Sequence, residues 1–587
     1  MDASRRCLLP TAALLLLLAP SLQAQKPGNP REYPLTQTAQ PLAASSAAKG
    51  SAPPVAQNLT AERLVNARAE PQNWLTYYGA YDGQRYSALD QINVDNVKNL
   101  KPAWIFQYGN IGLLATPATF SFEAAPIVVD GVMYVSGWDG YVWALDAATG
   151  QLLWVYQHAI PLDTPICCGN VNRGVAVAKG KVFVATINGY LLALDAATGK
   201  LVWSQPFCNV RSGESATAAP LIVKNLVIAG SSGAEYGVRG HLDAFDMDTG
   251  RRVWRRYTVP RPGEAGSETW GKTNDGWAVG GGSTWITGAY DPALNTLYWG
   301  TGNPGPDFDD RLRPGDNLYT CSVLALNPDD GSIKWHYQWT PHDVWDYDGI
   351  GENILLDQGD RKLLAHFDKN GFLFLLDRVS GQFVRAIRFG KVTWGDIDPS
   401  TGKVSVLRTP TPEGQEIWPG PAGAKEWPHA AYNPTTGLLY TPVIEAGAIF
   451  KVRPMQFRES MPYWGGDAHV IGKDHPGYIR AFDPKTGSQV WEYKHDYPMV
   501  ASVLTTAGGL VITGKPTGEV IALNARTGEL LWQFNAGSGI HSNPVTYSVN
   551  GKQYIAVPSG WGGWIEGFAP NLIGGPRGNA LFVFALP

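Results

Sequence analysis

The 587-residue sequence has little charge, little methionine and few cysteines. Asp, Glu, Lys and Arg make up 17% of it, against an ordinary ~25%. The formal net charge is -4, so there is no basic footprint for a nucleic-acid partner. Scarce charge beside 67 Gly, 43 Pro and 11% aromatics excludes a coiled coil and wholesale disorder. The five cysteines (Cys7, Cys167, Cys168, Cys208 and Cys321) contain no CxxC pair. Zinc ribbons and CxxCH haem attachment are thereby excluded, and five are too few for a disulfide scaffold. No apolar run reaches the ~20 residues of a membrane span. The nearest, Cys7 to Leu18, follows Arg5 and Arg6 and ends in Pro20 and Leu22-Gln23-Ala24. That is the layout of a cleaved secretory signal over 1–24, with no lipobox cysteine at its exit. An Ala-, Ser- and Pro-rich flexible spacer is expected over 25–66, and a single catalytic domain over 67–587.

What the chain has in excess is tryptophan, 22 against six methionines. A repeat accounts for much of it. Asp/Asn-x-x-x-Gly-x-x-x-Trp occurs at Asp146-Gly150-Trp154, Asp195-Gly199-Trp203, Asp246-Gly250-Trp254, Asn327-Gly331-Trp335, Asp483-Gly487-Trp491 and Asn524-Gly528-Trp532. A seventh copy, Asp377-Gly381-Arg385, loses the Trp. Each follows alternating apolar residues, such as Tyr190 to Leu194, so the unit reads strand, turn, strand, Asp-Gly turn, strand. Asp or Asn opens the turn, Gly takes the positive φ, and Trp packs between neighbouring sheets. Seven copies plus matching ends predict an all-β, eight-bladed β-propeller. Lys101 to Phe106 is expected to supply the outer strand beside Ala580 to Ala585, closing the ring and removing its edges. Propellers host enzymes and scaffolds alike, so function must come from the site.

Several motifs fall outside the repeat. Cys167 and Cys168 are adjacent, readable as a strained disulfide or as two reduced buried thiols. Arg173 follows, able to pair bidentately with a carboxylate. Ser231-Ser232-Gly233-Ala234-Glu235 ends an apolar strand, and Gly280-Gly281-Gly282-Ser283-Thr284-Trp285 offers close backbone approach beside a stacking ring. Gly300-Thr301-Gly302-Asn303-Pro304 ends another strand. In His342 to Gly349, Asp346 and Asp348 stand at i and i+2, which on extended chain point the same way. Carboxylates and an amide oxygen without a His or Cys cluster are hard ligands, suited to Ca²⁺-like ions. Taken together they predict a metal site over a planar cofactor.

The Cys-Cys-x-x-x-Asn-Arg-Gly, Ser-Gly-Ala-Glu, Gly-Thr-Gly-Asn-Pro and Trp-Asp-Tyr-Asp stretches, in this order, resemble the soluble pyrroloquinoline-quinone (PQQ)-dependent alcohol dehydrogenases. The resemblance runs from Trp74 to Trp564. It implies an eight-bladed propeller with PQQ near its axis, the Cys167–Cys168 disulfide over one face and Trp285 over the other. It implies further cofactor contacts from Glu123, Arg173, Thr217, Ser232, Gly233, Ala234, Ser283, Lys369 and Trp564. Implied metal ligands are Glu235, Asn303 and Asp346, with Asp346 also the catalytic base. Calcium-using members carry a small or hydroxyl residue where this chain has Asp348; members resembling lanthanide-dependent enzymes carry Asp. Three carboxylates balance a trivalent ion better than a divalent one, so a lanthanide(III) is expected, with Ca²⁺ as the alternative. Glu426 stands where relatives often have Asn. The resemblance implies oxidation of primary alcohols to aldehydes in the periplasm, with electrons passing to a separate, soluble cytochrome c. A non-catalytic PQQ-like propeller scaffold and a polyol or sugar quinoprotein remain the other readings.

Overall fold

The structure, a computed structural model, describes residues 59–108, 121–138, 140–161, 164–271, 275–568 and 572–587. The expected signal segment and nearly all of the expected spacer lie outside the described residues. At the spacer's end, Ala61–Val65 forms a short helix whose first turn is capped by the Thr60 hydroxyl. Leu59 and Leu64 are buried, so apolar side chains tie the chain to the core ahead of residue 67.

From there the chain is all-β. Four-stranded antiparallel meanders follow one another, the first being Ile127–Val129, Val132–Ser136, Tyr141–Asp146 and Leu152–Gln157. Among the described residues there are seven such sheets and an eighth extended to five strands by Tyr86–Ser87, consistent with eight blades. The first two strands of this blade are buried throughout. The fourth alternates, as in Leu152–Gln157, because only one of its faces meets a neighbour. The ring closes as expected: Lys101–Gln107 pairs antiparallel with Ala580–Ala585, Lys101 opposite Ala585 and Gln107 opposite Ala580. Two smaller sheets are inserted between Arg388 and Gly477, one a hairpin of Gly395–Ile397 and Val404–Val406. The other joins Gln415–Ile417, Ala448–Val452 and Gly466–Val470.

Five of the six repeated tryptophans dock on the glycine of the next blade's turn, and the sixth, Trp532, packs edge-on against Phe584. A Cβ on Gly199 would stand 2.6 Å from Trp154, and one on Gly250 2.8 Å from Trp203. The same stack occurs across the closure, where Trp104 lies on Gly150. Indole N–H groups donate to the turn carbonyls, Trp154 to Ala196 at 3.0 Å and Trp254 to Pro328 at 2.9 Å. The turn is held by its Asp: Asp146 Oδ1 accepts from Thr149 N at 2.9 Å and Thr149 Oγ1 at 2.8 Å. Arg385, which replaces the Trp in the seventh copy, lies over Gly487 and donates to the Lys485 carbonyl at 3.1 Å. A guanidinium thus fills the same slot.

In such a meander, the segment entering the first strand and the loop joining the second to the third lie at one end. The Asp-Gly turns lie at the other. Docking chemistry and site chemistry are therefore segregated. Trp154→Ala is expected to cost about 3–5 kcal/mol in denaturant unfolding, and Gly199→Ala, at φ 69, more than about 1 kcal/mol. Unchanged unfolding midpoints would show that these stacks do not hold the blades together.

Candidate functional site

At the end opposite the Asp-Gly turns lies a cavity of about 170 Å³. Its wall comes from segments that lead into first strands: Cys167, Cys168, Val171 and Arg173 before Ala176–Ala178, Ser215 and Thr217 before Leu221–Val223, Trp285 before Ala289–Asp291. Asp346 and Asp348 precede Ile354–Gln358, and Glu426 precedes Ala431–Asn433. Loops between second and third strands add Ser232, Gly233, Glu235, Lys369 and Trp564. The rest is apolar or small: Gly420, Pro421, Ala422, Ala446, Gly447, Ala468, Val470 and Leu572. Many of these come from the inserted sheet and the loops around it, which sequence reasoning did not place.

Four expected residues stand behind the wall. Glu123 is buried and pairs with Arg173 at 2.8 Å. Ala234, Ser283 and Asn303 are buried beside it. Gly233 has φ 103, and a Cβ there would stand 2.2 Å from the Gly213 carbonyl, so the backbone passes close by necessity. Cys167 and Cys168 form a disulfide, which settles the two readings of the pair, while Cys208 and Cys321 are both free. The Glu235 carboxylate comes within 4.8 Å of the disulfide sulfurs.

Arg173 is sandwiched between rings, its guanidinium carbon 4.9 Å from the Trp285 centroid and 4.7 Å from that of Trp427. Its Nε and Nη1 are buried with no hydrogen-bond partner among the described residues. Unpaired guanidinium N–H groups at a cavity wall suit a ligand carboxylate. The Trp564 indole N–H and the Asn303 Oδ1 are likewise buried and unpartnered among the described residues. Asn303 Nδ2 is taken by Asp307 at 2.9 Å, so the amide turns its oxygen, a hard acceptor, away from that contact.

The acidic corner is not built as strand alternation predicts. Asp346 has φ 66 and lies in a loop wound around Asp343, which accepts from Asp346 N at 3.1 Å and Tyr347 N at 3.1 Å. Asp346 and Asp348 nevertheless converge on Lys369, whose Nζ is 3.4 Å from Asp346 and 3.1 Å from Asp348. Asp348 Oδ1 also accepts from Trp285 Nε1 at 3.2 Å and Asn303 N at 3.1 Å. Burial pushes the Asp346 carboxyl well above the usual range against the pull of Lys369, with Asp348, Asp307 and Glu235 adding repulsion. Burial likewise raises Glu235 to about 7 and Glu123 to about 7. Burial opposes the Lys369 charge, but Asp346, Asp348 and Glu426 overcome it and keep it protonated. Asp307 was missed from sequence; it follows Gly-Asn-Pro-Gly-Pro in the same loop, and burial raises it too. The donor set of carboxylates and one amide oxygen fits a hard, highly charged cation. A cavity lined by the disulfide and the Trp285 indole, with unpaired Arg173 N–H groups, fits an anionic cofactor.

Known proteins share this architecture. The family described as glucose/ethanol/alcohol dehydrogenase, beta-propeller domain, matches residues 74–406. Residues 475–560 match the outer membrane protein assembly factor BamB, a stretch that holds two docking turns and none of the cavity wall. The quinoprotein alcohol dehydrogenase PedH of Pseudomonas putida is 39% identical over 563 residues, 90% of this chain and 93% of that one. The lanthanide-dependent methanol dehydrogenase of Methylacidiphilum fumariolicum is 36% identical over 544 residues, 86% of this chain and 87% of that one. A solved europium-containing methanol dehydrogenase aligns with TM-score 0.82 at 34% identity, covering 89% of this chain and 100% of that one. On this cover and on the propeller that carries it, the chain belongs to the PQQ-dependent alcohol dehydrogenases.

Proposed function

We propose that this enzyme oxidises short primary alcohols to aldehydes in the periplasm, with PQQ in the cavity and a lanthanide(III) ion held by Glu235, Asn303, Asp346 and Asp348. Electrons leave to a soluble cytochrome c. The observation that carries the choice of ion is the excess of carboxylates over cations at one corner: Glu235, Asp346, Asp348 and Glu426 against Lys369, a net three negative charges. A trivalent ion neutralises that excess; Ca²⁺ leaves part of it.

When bound, PQQ supplies the quinone carbonyl that accepts a hydride, and the metal supplies the Lewis acid that polarises it. The protein's own residues do the rest. Cys167–Cys168 and Trp285, all on the cavity wall, would hold the cofactor by packing against it. Arg173, kept rigid by Glu123 and two indoles, pairs with a cofactor carboxylate. Thr217 and Ser232, hydroxyl to hydroxyl at 2.9 Å, present oxygens at one edge. Ser283, Trp564 and the Gly233–Ala234 backbone complete the cradle. Asp346 takes the alcohol's hydroxyl proton as the carbinol hydrogen leaves with its electron pair. Lys369 stabilises the charge that Asp346 carries before that transfer and steadies the cofactor oxygens. Ala446, Ala468, Val470 and Leu572 exclude water and favour an alkyl chain over a polyol. No helix among the described residues is long and apolar enough to cross a membrane.

Apoprotein given PQQ with La³⁺ or Ce³⁺ is expected to reduce an artificial dye with short primary alcohols, and with Ca²⁺ to do so poorly. Equal activity with Ca²⁺ would remove the lanthanide assignment and leave the family intact. Asp348→Ala is expected to lower lanthanide-supported activity by roughly 10–100-fold; an unchanged metal preference would show that Asp348 takes no part. The metal-free protein should also depend on pH. A carboxyl raised in the fold favours the native state while both states are protonated, and that advantage is lost as pH rises to the folded value. For Glu235 the window runs from 4.5 to about 7. The melting temperature of the apoprotein should therefore fall across this range, and La³⁺ should flatten the fall; a slope unaffected by La³⁺ would contradict Glu235 as a ligand.

A further inference from the structure

A second cluster lies outside the cavity, behind its wall, and none of its side chains lines the cavity. Cys208 and Glu214 sit on the connection that follows Leu201–Pro206, the outer strand of one blade. His241 begins His241–Asp246, the third strand of the next. The Cys208 Sγ, a Glu214 carboxylate oxygen and a His241 ring nitrogen all lie within 4.8 Å of one another. His241 is fully buried, and neither of its ring nitrogens has a hydrogen-bond partner among the described residues. A buried imidazole left so is costly unless something else takes its lone pair and its proton. Its Nε2 stands 3.8 Å from Glu214 Oε2, and its Nδ1 stands 3.7 Å from Asp243 Oδ2.

This is the layout of a metal-binding histidine. One nitrogen faces the other ligands, and the opposite nitrogen faces a carboxylate that sets the ring's orientation. Asp243 is itself fixed, accepting from Arg255 Nε at 2.7 Å and Arg255 Nη2 at 2.6 Å. Bonds of ~2.0–2.3 Å to a tetrahedral zinc place ligand atoms roughly 3.3–3.8 Å apart. The His241–Glu214 separation already falls there, so only the thiol needs to close in. Cys208 and Glu214 are partly accessible, which gives an ion a way in, while His241 and Asp243 are buried behind them. Charge agrees: a Cys208 thiolate, Glu214 and Asp243 outnumber Arg255 and the more exposed Arg252, 3.9 Å from Asp243, so the cluster stays negative and attracts a cation. Sulfur, imidazole and carboxylate together select a borderline-soft ion over the hard ions that suit the cavity.

We propose that Cys208, Glu214 and His241 form a zinc(II) site that staples the two blades together, with water as the fourth ligand. Binding replaces the Cys208 S–H, which now donates to the Ser215 carbonyl at 3.3 Å, by an S–Zn bond, and the proton leaves to solvent. Ser215 pairs with Ser232 through two backbone hydrogen bonds, and both line the cavity. The staple therefore sits directly behind one cavity wall.

The test is a titration of chelator-treated full-length protein with Zn²⁺, and with Co²⁺ as a spectroscopic reporter. One zinc per chain is expected, with proton release, and the cobalt form should show a thiolate-to-cobalt charge-transfer band with tetrahedral d–d bands. Zinc affinity should fall at least ~100-fold in Cys208→Ser and His241→Ala, by ~10–100-fold in Asp243→Asn, and not in Asp348→Ala. A wild-type cobalt spectrum without the thiolate band overturns the proposal, and this readout requires no variant to fold. Loss of zinc in Asp348→Ala but not in Cys208→Ser would also overturn it, by placing the ion in the cavity.

Discussion

Confining like charges in a dry cavity is the constraint on which the rest of this structure depends. Glu235, Asp346 and Asp348 share one wall with a single lysine, and further carboxylates, Asp307 and Glu426, stand close behind or beside them. Left to themselves such groups would spread apart or protonate. Here they are held by contacts that do not depend on their charge state: the Asp343 cap under Asp346, and Trp285 and Asn303 N–H groups on Asp348. In the function proposed above, that crowding of carboxylates is what would favour a highly charged cation. In that proposal the cation would also hold Asp346 in the charged form a base needs, against the burial that pushes its carboxyl toward protonation.

A scaffold that carries such a site must be rigid without using the site for its own stability. The propeller does this by separation. Its blades are fastened mainly by indoles stacked on turn glycines, Trp154, Trp203, Trp254 and Trp491 also donating into the neighbouring turn, at the end away from the cavity. At the opposite end, every blade offers the segment entering its first strand and the loop between its second and third. Short loops there leave Lys369 pointing in, and long ones deliver Ser232 to Glu235, Asn303 with Asp307, and Trp564. The closing strand repeats the same fastening through Trp104 on Gly150, while Trp532 meets the closing sheet through Phe584. Behind the wall, Cys208, Glu214 and His241 join two blades by a different chemistry.

The scaffold was legible in the sequence because its physics is local. An Asp-x-x-x-Gly turn and a Trp four residues later specify their own geometry, and the apolar ends at Lys101 to Phe106 and Ala580 to Ala585 have to pair with something. The site was legible mainly through motif resemblance, and the disulfide, Trp285, Arg173, Glu235, Asp346 and Asp348 it picked out all line one cavity. Local reasoning failed where the backbone leaves regular structure. Asp346 and Asp348 converge through a loop with a positive φ at Asp346, not through strand alternation. Asp307 and the Cys208–Glu214–His241 cluster were invisible because their members meet only through packing between loops. The end of the spacer was misjudged for a similar reason: Leu59 and Leu64 read as isolated apolar residues until a core is there to receive them.

The most direct test of the charge-confinement claim is crystallography of protein loaded with PQQ and Ce³⁺, with anomalous data collected to locate the ion. A single strong anomalous peak bonded to Glu235, Asn303, Asp346 and Asp348, with Lys369 moved off both aspartates, is the predicted result. A peak that excludes Asp348, or an ion held elsewhere in the chain, would contradict it.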